Sequence, residues 1–132
     1  MATTTATITL TSGDLTSDAL ALSTTATFTN AGGSNGLVGT TGLGRKKTGD
    51  TSQYILFDGD AYANGAHKVY LKNTSSTAAE YFTIEINSEQ MGKLYAGDWC
   101  LFPWEANADT NDIKIQPSAA NMVLEYMLFI DE

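Results

Sequence analysis

The chain has 132 residues, 42% of them apolar, and a formal charge of −8 from 15 acidic and seven basic side chains. Such a length and apolar content suit one globular domain with its own core and exclude gross disorder. The acidic balance argues against nucleic acid and anionic membrane as partners, because both demand a basic face. The single cysteine, Cys100, excludes an intramolecular disulfide or a thiolate metal cluster.

The N-terminus, MATTTATITL, has neither the basic nor the continuous apolar region of a secretory signal, so synthesis in a cytoplasm without export is expected. No apolar run reaches membrane-spanning length. Ile8 and Leu10 alternate with threonines, the period of a strand rich in β-branched residues. Ser12-Gly13-Asp14 reads as a turn, and Leu20, Leu22, Thr24, Ala26 and Phe28 share one parity in a second strand from about Ala19 to Thr29. A helix over Asp18–Leu22 competes with it, but the following threonines would not sustain one. Residues 1–29 carry little charge and small side chains, which suits an arm laid on a neighbouring molecule or an ordinary edge hairpin.

Residues 30–50 are the most glycine-rich stretch and are expected to form a long loop. Gly39 and Gly44 approach the spacing of a phosphate-binding loop. Arg45 stands where that motif needs lysine, however, and Lys46 where it needs a hydroxyl, and no amphipathic helix follows. Arg45, Lys46 and Lys47 instead concentrate basic charge, as a solvated loop tip or as a docking loop for an acidic partner.

From Gln53 onward the strand signals are regular. Tyr54–Phe57 is a short apolar run closed by Asp58-Gly59-Asp60, and Asn64-Gly65 is a further turn. In His67–Lys72, Val69 and Leu71 alternate with Lys68, Tyr70 and Lys72. Asn73-Thr74-Ser75 breaks the run and spells a glycosylation acceptor, relevant only to an exported chain. Tyr81–Ile86 turns Phe82, Ile84 and Ile86 inward, Asn87–Leu94 suits a single helical turn, and three further runs lie near Asp98–Phe102, Asp112–Gln116 and Asn121–Ile130. In the last run Met122, Leu124, Tyr126, Leu128 and Ile130 share a face, while Val123, Met127 and Phe129 make the other face apolar too. Such a strand is central in a two-layer fold or lines a subunit contact. About eight short strands separated by turns predict an all-β, single-domain antiparallel β-sandwich or jelly-roll-like barrel spanning residues 1–132.

Chemistry-bearing residues are sparse. His67 is the only histidine and is expected at an exposed edge; Cys100, in Trp99-Cys100-Leu101-Phe102, is expected as a small buried hydrophobe. No catalytic residue, cofactor or metal site is predicted: the acidic residues Asp58, Asp60, Glu105, Asp109 and Asp112 do not follow the calcium-loop spacing. Trp99 and Trp104 fall on opposite faces of one strand, so one is expected in the core and the other at an edge. An exposed tryptophan there could stack a sugar ring, which keeps a carbohydrate-binding module open.

The succession Tyr70-Leu71-Lys72-Asn73-Thr74, Tyr81-Phe82-Thr83-Ile84, Leu94-Tyr95-Ala96-Gly97-Asp98-Trp99 and Phe102-Pro103-Trp104 resembles small virion structural proteins of tailed bacteriophages. The ending, Asp112-Ile113-Lys114-Ile115 with Leu124-Glu125-Tyr126, is similar too, and the likeness spans residues 67–130, about half the chain. It rests on strand order and turn chemistry, with no diagnostic motif. The resemblance implies a non-enzymatic capsid decoration (cement) protein that is made in the host cytoplasm, incorporated into the virion, and bound to the major capsid protein as a homo-oligomer, a trimer. A tail or head-fibre component is the alternative within that class. Expected partner-binding residues are Arg45, Lys46, Lys47, Val123, Met127, Phe129 and Trp104.

Overall fold

The computed structural model describes residues 3–30, 32–63, 65–107 and 110–131. Apart from one 3-10 turn, Asp60–Tyr62, its regular elements are β-strands, eleven in all. The chain divides into two compact units, residues 1–38 and 39–132.

In the first unit, β1 (Thr4–Ser12) and β2 (Leu20–Phe28) pair antiparallel from Thr4↔Phe28 to Ser12↔Leu20. They form a two-stranded sheet of their own. The helix competing over Asp18–Leu22 does not form. Alternation sorts the hairpin into two faces. Thr4, Ala6, Ile8, Leu10, Ser12, Leu20, Leu22, Thr24, Ala26 and Phe28 lie on one; Thr5, Thr7, Thr9, Thr11, Ala21, Ser23, Thr25 and Thr27 lie on the other. Across the second face the hydroxyls of Thr7 and Thr25 bond at 2.7 Å.

The second unit contains β3 (Gly39–Thr40), β4 (Gly44–Lys47), β5 (Tyr54–Phe57), β6 (Ala66–Asn73), β7 (Tyr81–Ile86), β8 (Glu89–Tyr95), β9 (Trp99–Glu105), β10 (Ile113–Pro117) and β11 (Val123–Ile130). One sheet has the order β5-β10-β7-β8; in the other, β11 joins β3 and β4 on one side to β6 and then β9 on the other. Every connection from β4 onward changes sheet except the β7–β8 hairpin. That is the strand order of a jelly roll, one of the two architectures expected. Both sheets supply one core: Val69, Leu71, Phe102, Trp104, Leu124 and Leu128 from the first, Phe57, Phe82, Ile84, Leu94, Ile113 and Ile115 from the second.

Three strands exceed the eight expected, and they replace two other assignments. The long loop at residues 30–50 contains β3 and β4, two pieces of one edge strand paired with β11. At the break between them Gly42 takes φ +74°, and the Thr41 hydroxyl accepts the Leu128 N–H at 2.9 Å in place of a ladder bond. Gly44 is required because a Cβ there would lie 2.7 Å from the Tyr126 ring. The helical turn expected in Asn87–Leu94 is strand β8. Asn87 and Ser88 both have positive φ, 52° and 62°, the backbone of a tight hairpin turn after β7. The expected Asn64-Gly65 turn rests in part on Asn64, which lies outside the described residues.

Two buried polar side chains pin the strands. Asn73 is fully buried; its amide donates to the Leu94 carbonyl at 3.0 Å and the Glu80 carbonyl at 3.2 Å, and its oxygen accepts the Ser75 N–H at 3.0 Å. It therefore ties β6 of one sheet to β8 of the other, and no free amide is left for a glycan. His67, expected at an exposed edge, is 1% exposed. Its Nδ1 accepts the Asp131 N–H at 3.1 Å, so the proton sits on Nε2, which donates to the Tyr62 carbonyl at 2.9 Å. Gly65 makes room for the ring, since a Cβ there would lie 2.0 Å from His67 Cε1.

Asn73→Ala and His67→Ala each strand buried backbone groups and leave a void. Each is expected to lower unfolding free energy by about 2–4 kcal/mol in urea titration. A loss below roughly 0.5 kcal/mol, the size of an exposed-site change, would show that the pinning bonds do not matter.

Candidate docking face

Register decides which candidate residues meet. In β11, Leu124 and Leu128 are buried in the core, and Val123, Glu125, Met127 and Phe129 point the opposite way, half-buried. Opposite them stand Arg45 and Lys47 of β4 and Lys68, Tyr70 and Lys72 of β6. Beyond β6 come Trp99, Leu101 and Pro103 of β9. The outer face of this sheet thus carries an apolar row, Met127–Tyr70–Leu101, with Phe129 and Val123 beside it and Trp99, 51% exposed, at its edge.

The same face gathers Arg45, Lys47, Lys68 and Lys72, four of the seven basic residues of an acidic chain. Glu125 holds its centre. One carboxylate oxygen accepts from Arg45 Nε and the terminal guanidinium nitrogen at 3.2 and 3.1 Å, and the other accepts from the Tyr70 hydroxyl at 3.1 Å. One side chain thereby links β4, β11 and β6. Burial, and then the Glu125 carboxylate, push the Tyr70 hydroxyl above its ordinary pKa, so it stays a neutral donor. At the end of the face Lys68 Nζ lies 3.6 Å from the buried Asp131 carboxylate.

Of the expected partner-binding residues, Arg45, Lys47, Val123, Met127 and Phe129 therefore share one surface. Two do not. Lys46 points to the other side of β4, where its ammonium lies 5.2 Å from the centre of the Tyr54 ring. The basic triplet is strand, not loop tip, and alternation splits it. Trp104 is 2% exposed, packs against Phe57, Tyr62 and His67, and donates its indole N–H to the Asn111 carbonyl at 2.7 Å. Of the two tryptophans it is the core one, and it offers a partner no surface. Tyr70, Leu101, Lys68 and Lys72 were not singled out beforehand. Their signal was the outward parity of β6 and β9, which becomes a surface only once the register is known.

His67 and Cys100 do not form a catalytic pair. Cys100 pairs with Leu71, four positions along β6 from His67, a separation on the order of 13 Å at strand rise. The thiol faces inward beside a cavity of about 110 Å³ lined by Ile84, Met91 and Leu94. Burial pushes its pKa from 9.0 up to about 11. Among the described residues no three of His, Cys, Asp and Glu come together as a metal site. Asp58 and Asp112 accept the N–H groups of Asp60 and Gly59, each at 2.9 Å; Asp109 lies outside the described residues.

Comparison of the chain with family models, characterised proteins and solved structures found no match.

A thiol held at about pKa 11 instead of 9.0 carries roughly a hundredfold less thiolate at neutral pH. Alkylation of folded Cys100 should be slower than that of the urea-unfolded chain by about that factor. Because the folded thiol holds its proton more tightly, stability should be full below pH 9 and fall as pH rises towards about 11. Equal alkylation rates in the folded and unfolded chains would show the thiol to be unshielded.

Proposed function

We propose that the chain is a non-enzymatic structural protein of a bacteriophage virion, a capsid decoration protein whose outer β4-β11-β6-β9 face docks on the major capsid protein. The observation that carries this is the convergence of Arg45, Lys47, Val123, Met127 and Phe129 with Tyr70, Leu101 and Trp99 on one face. Aromatic residues, Met and Arg are the side chains enriched where proteins meet. The basic rim also gives the face a sign opposite to the rest of the molecule, suited to an acidic partner surface. The jelly roll adds analogy only, since it serves viral capsid and lectin domains alike. A homo-oligomer, a trimer, belongs to the same reading, and a tail or head-fibre position is the alternative within it.

A carbohydrate-binding module is favoured by one observation, the exposed Trp99. Beyond the neighbouring end of β6 lies an open polar cleft of about 310 Å³ lined by Thr74, Ser75, Ser76, Thr77, Glu80 and Asn121. Stacking of a sugar ring would alter Trp99 fluorescence during oligosaccharide titration, which shell docking would not require.

The test is co-sedimentation with assembled shells of the parent phage. The double variant Arg45→Ser, Lys47→Ser and, separately, Met127→Thr should each weaken binding about tenfold or more, the charge effect being larger at low salt. Lys46→Ser, on the opposite side of the strand, should bind like wild type. Unchanged shell occupancy in the first two variants would remove the docking face, and wild-type protein that stays in the supernatant would remove the virion reading.

A further inference from the structure

We propose that copies of this chain associate with one another through the apolar face of the β1–β2 hairpin. The proposal deepens the structural-protein reading but does not rest on the identity of the shell. It answers a difficulty that the register creates. The sequence suggested a self-contact at Val123, Met127 and Phe129 and an acidic-partner contact at Arg45, Lys46 and Lys47, yet all of these but Lys46 occupy one face. That face cannot serve both contacts at once, so self-association needs another surface.

The hairpin has the properties of one. Leu10 and Leu22 face each other across the strands, 49% and 46% exposed, with Ile8 and Leu20 beside them half-buried. A two-stranded hairpin is marginal by itself in water and gains independent stability from further strands or from a surface to pack on. Among the described residues β1 and β2 make a sheet of two strands only. Nine-residue strands nevertheless stay in register over their whole length. The threonine-rich reverse face is suited to water, so only the leucine face asks for cover.

Charge indicates what covers it. Two copies of a chain carrying −8 repel wherever their acidic surfaces approach. Residues 3–13 and 19–44 contain no charged side chain, and the only acids in the hairpin, Asp14 and Asp18, sit in its turn. A partner with strong charge of either sign finds nothing complementary there, whereas the same face of a second copy is both neutral and apolar. Area sets the strength. Two nine-residue strands side by side present roughly 30 Å by 10 Å, on the order of 300 Å² per copy, against the roughly 800 Å² per partner of a stable pair. The expected association is therefore weak and concentration-dependent in solution, and is strengthened where an assembled shell holds copies side by side.

Sedimentation equilibrium of the full chain from about 10 µM to 1 mM, with amide hydrogen exchange at both ends of the range, tests this. The mass should rise above the monomer's 14.1 kDa, and exchange over residues 4–28 should slow as it does. The double variant Leu10→Thr and Leu22→Thr keeps β-propensity, and so the hairpin, while removing the apolar payload. Its half-association concentration should rise by about tenfold or more. Association as strong in the double variant would place the contact elsewhere. A wild-type chain that stays monomeric throughout, with shell binding sensitive to the two leucines, would assign the hairpin to the shell and overturn self-association. Met127→Thr should associate like wild type. If no form binds shells yet wild type still associates through the leucines, the shell reading fails and this one stands.

Discussion

The last strand closes the fold. β11 lies between β4 on one side and β6 on the other, so this sheet cannot complete until the C-terminal segment has inserted. Its pairings with β4 and β6 join residues far apart in sequence, and each such closure costs entropy before any contact forms. A topology of that kind folds slowly and gains cooperativity in return. The end of β11 is secured by more than its ladder. The Asp131 N–H meets His67, the Asp131 carbonyl accepts the Ala66 N–H at 3.1 Å, and its carboxylate lies near Lys68. At the other end Thr48 donates both its N–H and its hydroxyl to the Met122 carbonyl, at 2.9 and 3.2 Å, fixing where β4 leaves the sheet.

Buried polar groups then determine how the two sheets meet. Apolar packing between sheets is nearly indifferent to small shifts along the strands, but Asn73 is not. It accepts and donates at three defined points, among them the Leu94 carbonyl of the other sheet, and a one-residue slip between the sheets would break that bond. His67 does the same at the opposite end of β6, through Tyr62 and Asp131. The outer surface inherits this precision. The Arg45–Glu125–Tyr70 linkage across three strands exists only because the register below it is fixed.

Much of this was legible in the order of residues. The apolar alternation of His67–Lys72 and Tyr81–Ile86 indicated the all-β class, and the doubly apolar Asn121–Ile130 left two places open for the last strand, central or at a subunit contact, of which the first is found. His67 shares parity with the buried Val69 and Leu71, so its burial was written in the pattern; chemical type misled, because a lone histidine suggests surface. Trp99 and Trp104 could be assigned to opposite faces but not to inside and outside, which follows from Phe102 facing the core. What was illegible lacked side-chain signal altogether. Gly39–Thr40 and Gly44–Lys47 become strands because β11 offers an edge and Tyr126 requires a glycine opposite it, both tertiary facts. Glu89–Tyr95 has few β-branched residues and is a strand because the Asn87-Ser88 turn folds it back onto β7.

The distribution of charge is what makes the two proposed contacts different in kind. With a net charge of −8, random encounters between copies, or between a copy and another acidic protein, meet net repulsion. The hairpin escapes by carrying no charge along its strands, and the outer sheet face by gathering basic residues around an apolar row. The sheet face suits a partner unlike this chain, because its basic rim would repel the same rim on a second copy. The hairpin suits a partner like itself, because neutral apolar faces need no complement other than their own kind. On the two proposals, charge placed on one surface and withheld from the other would separate like-with-like from like-with-unlike contact.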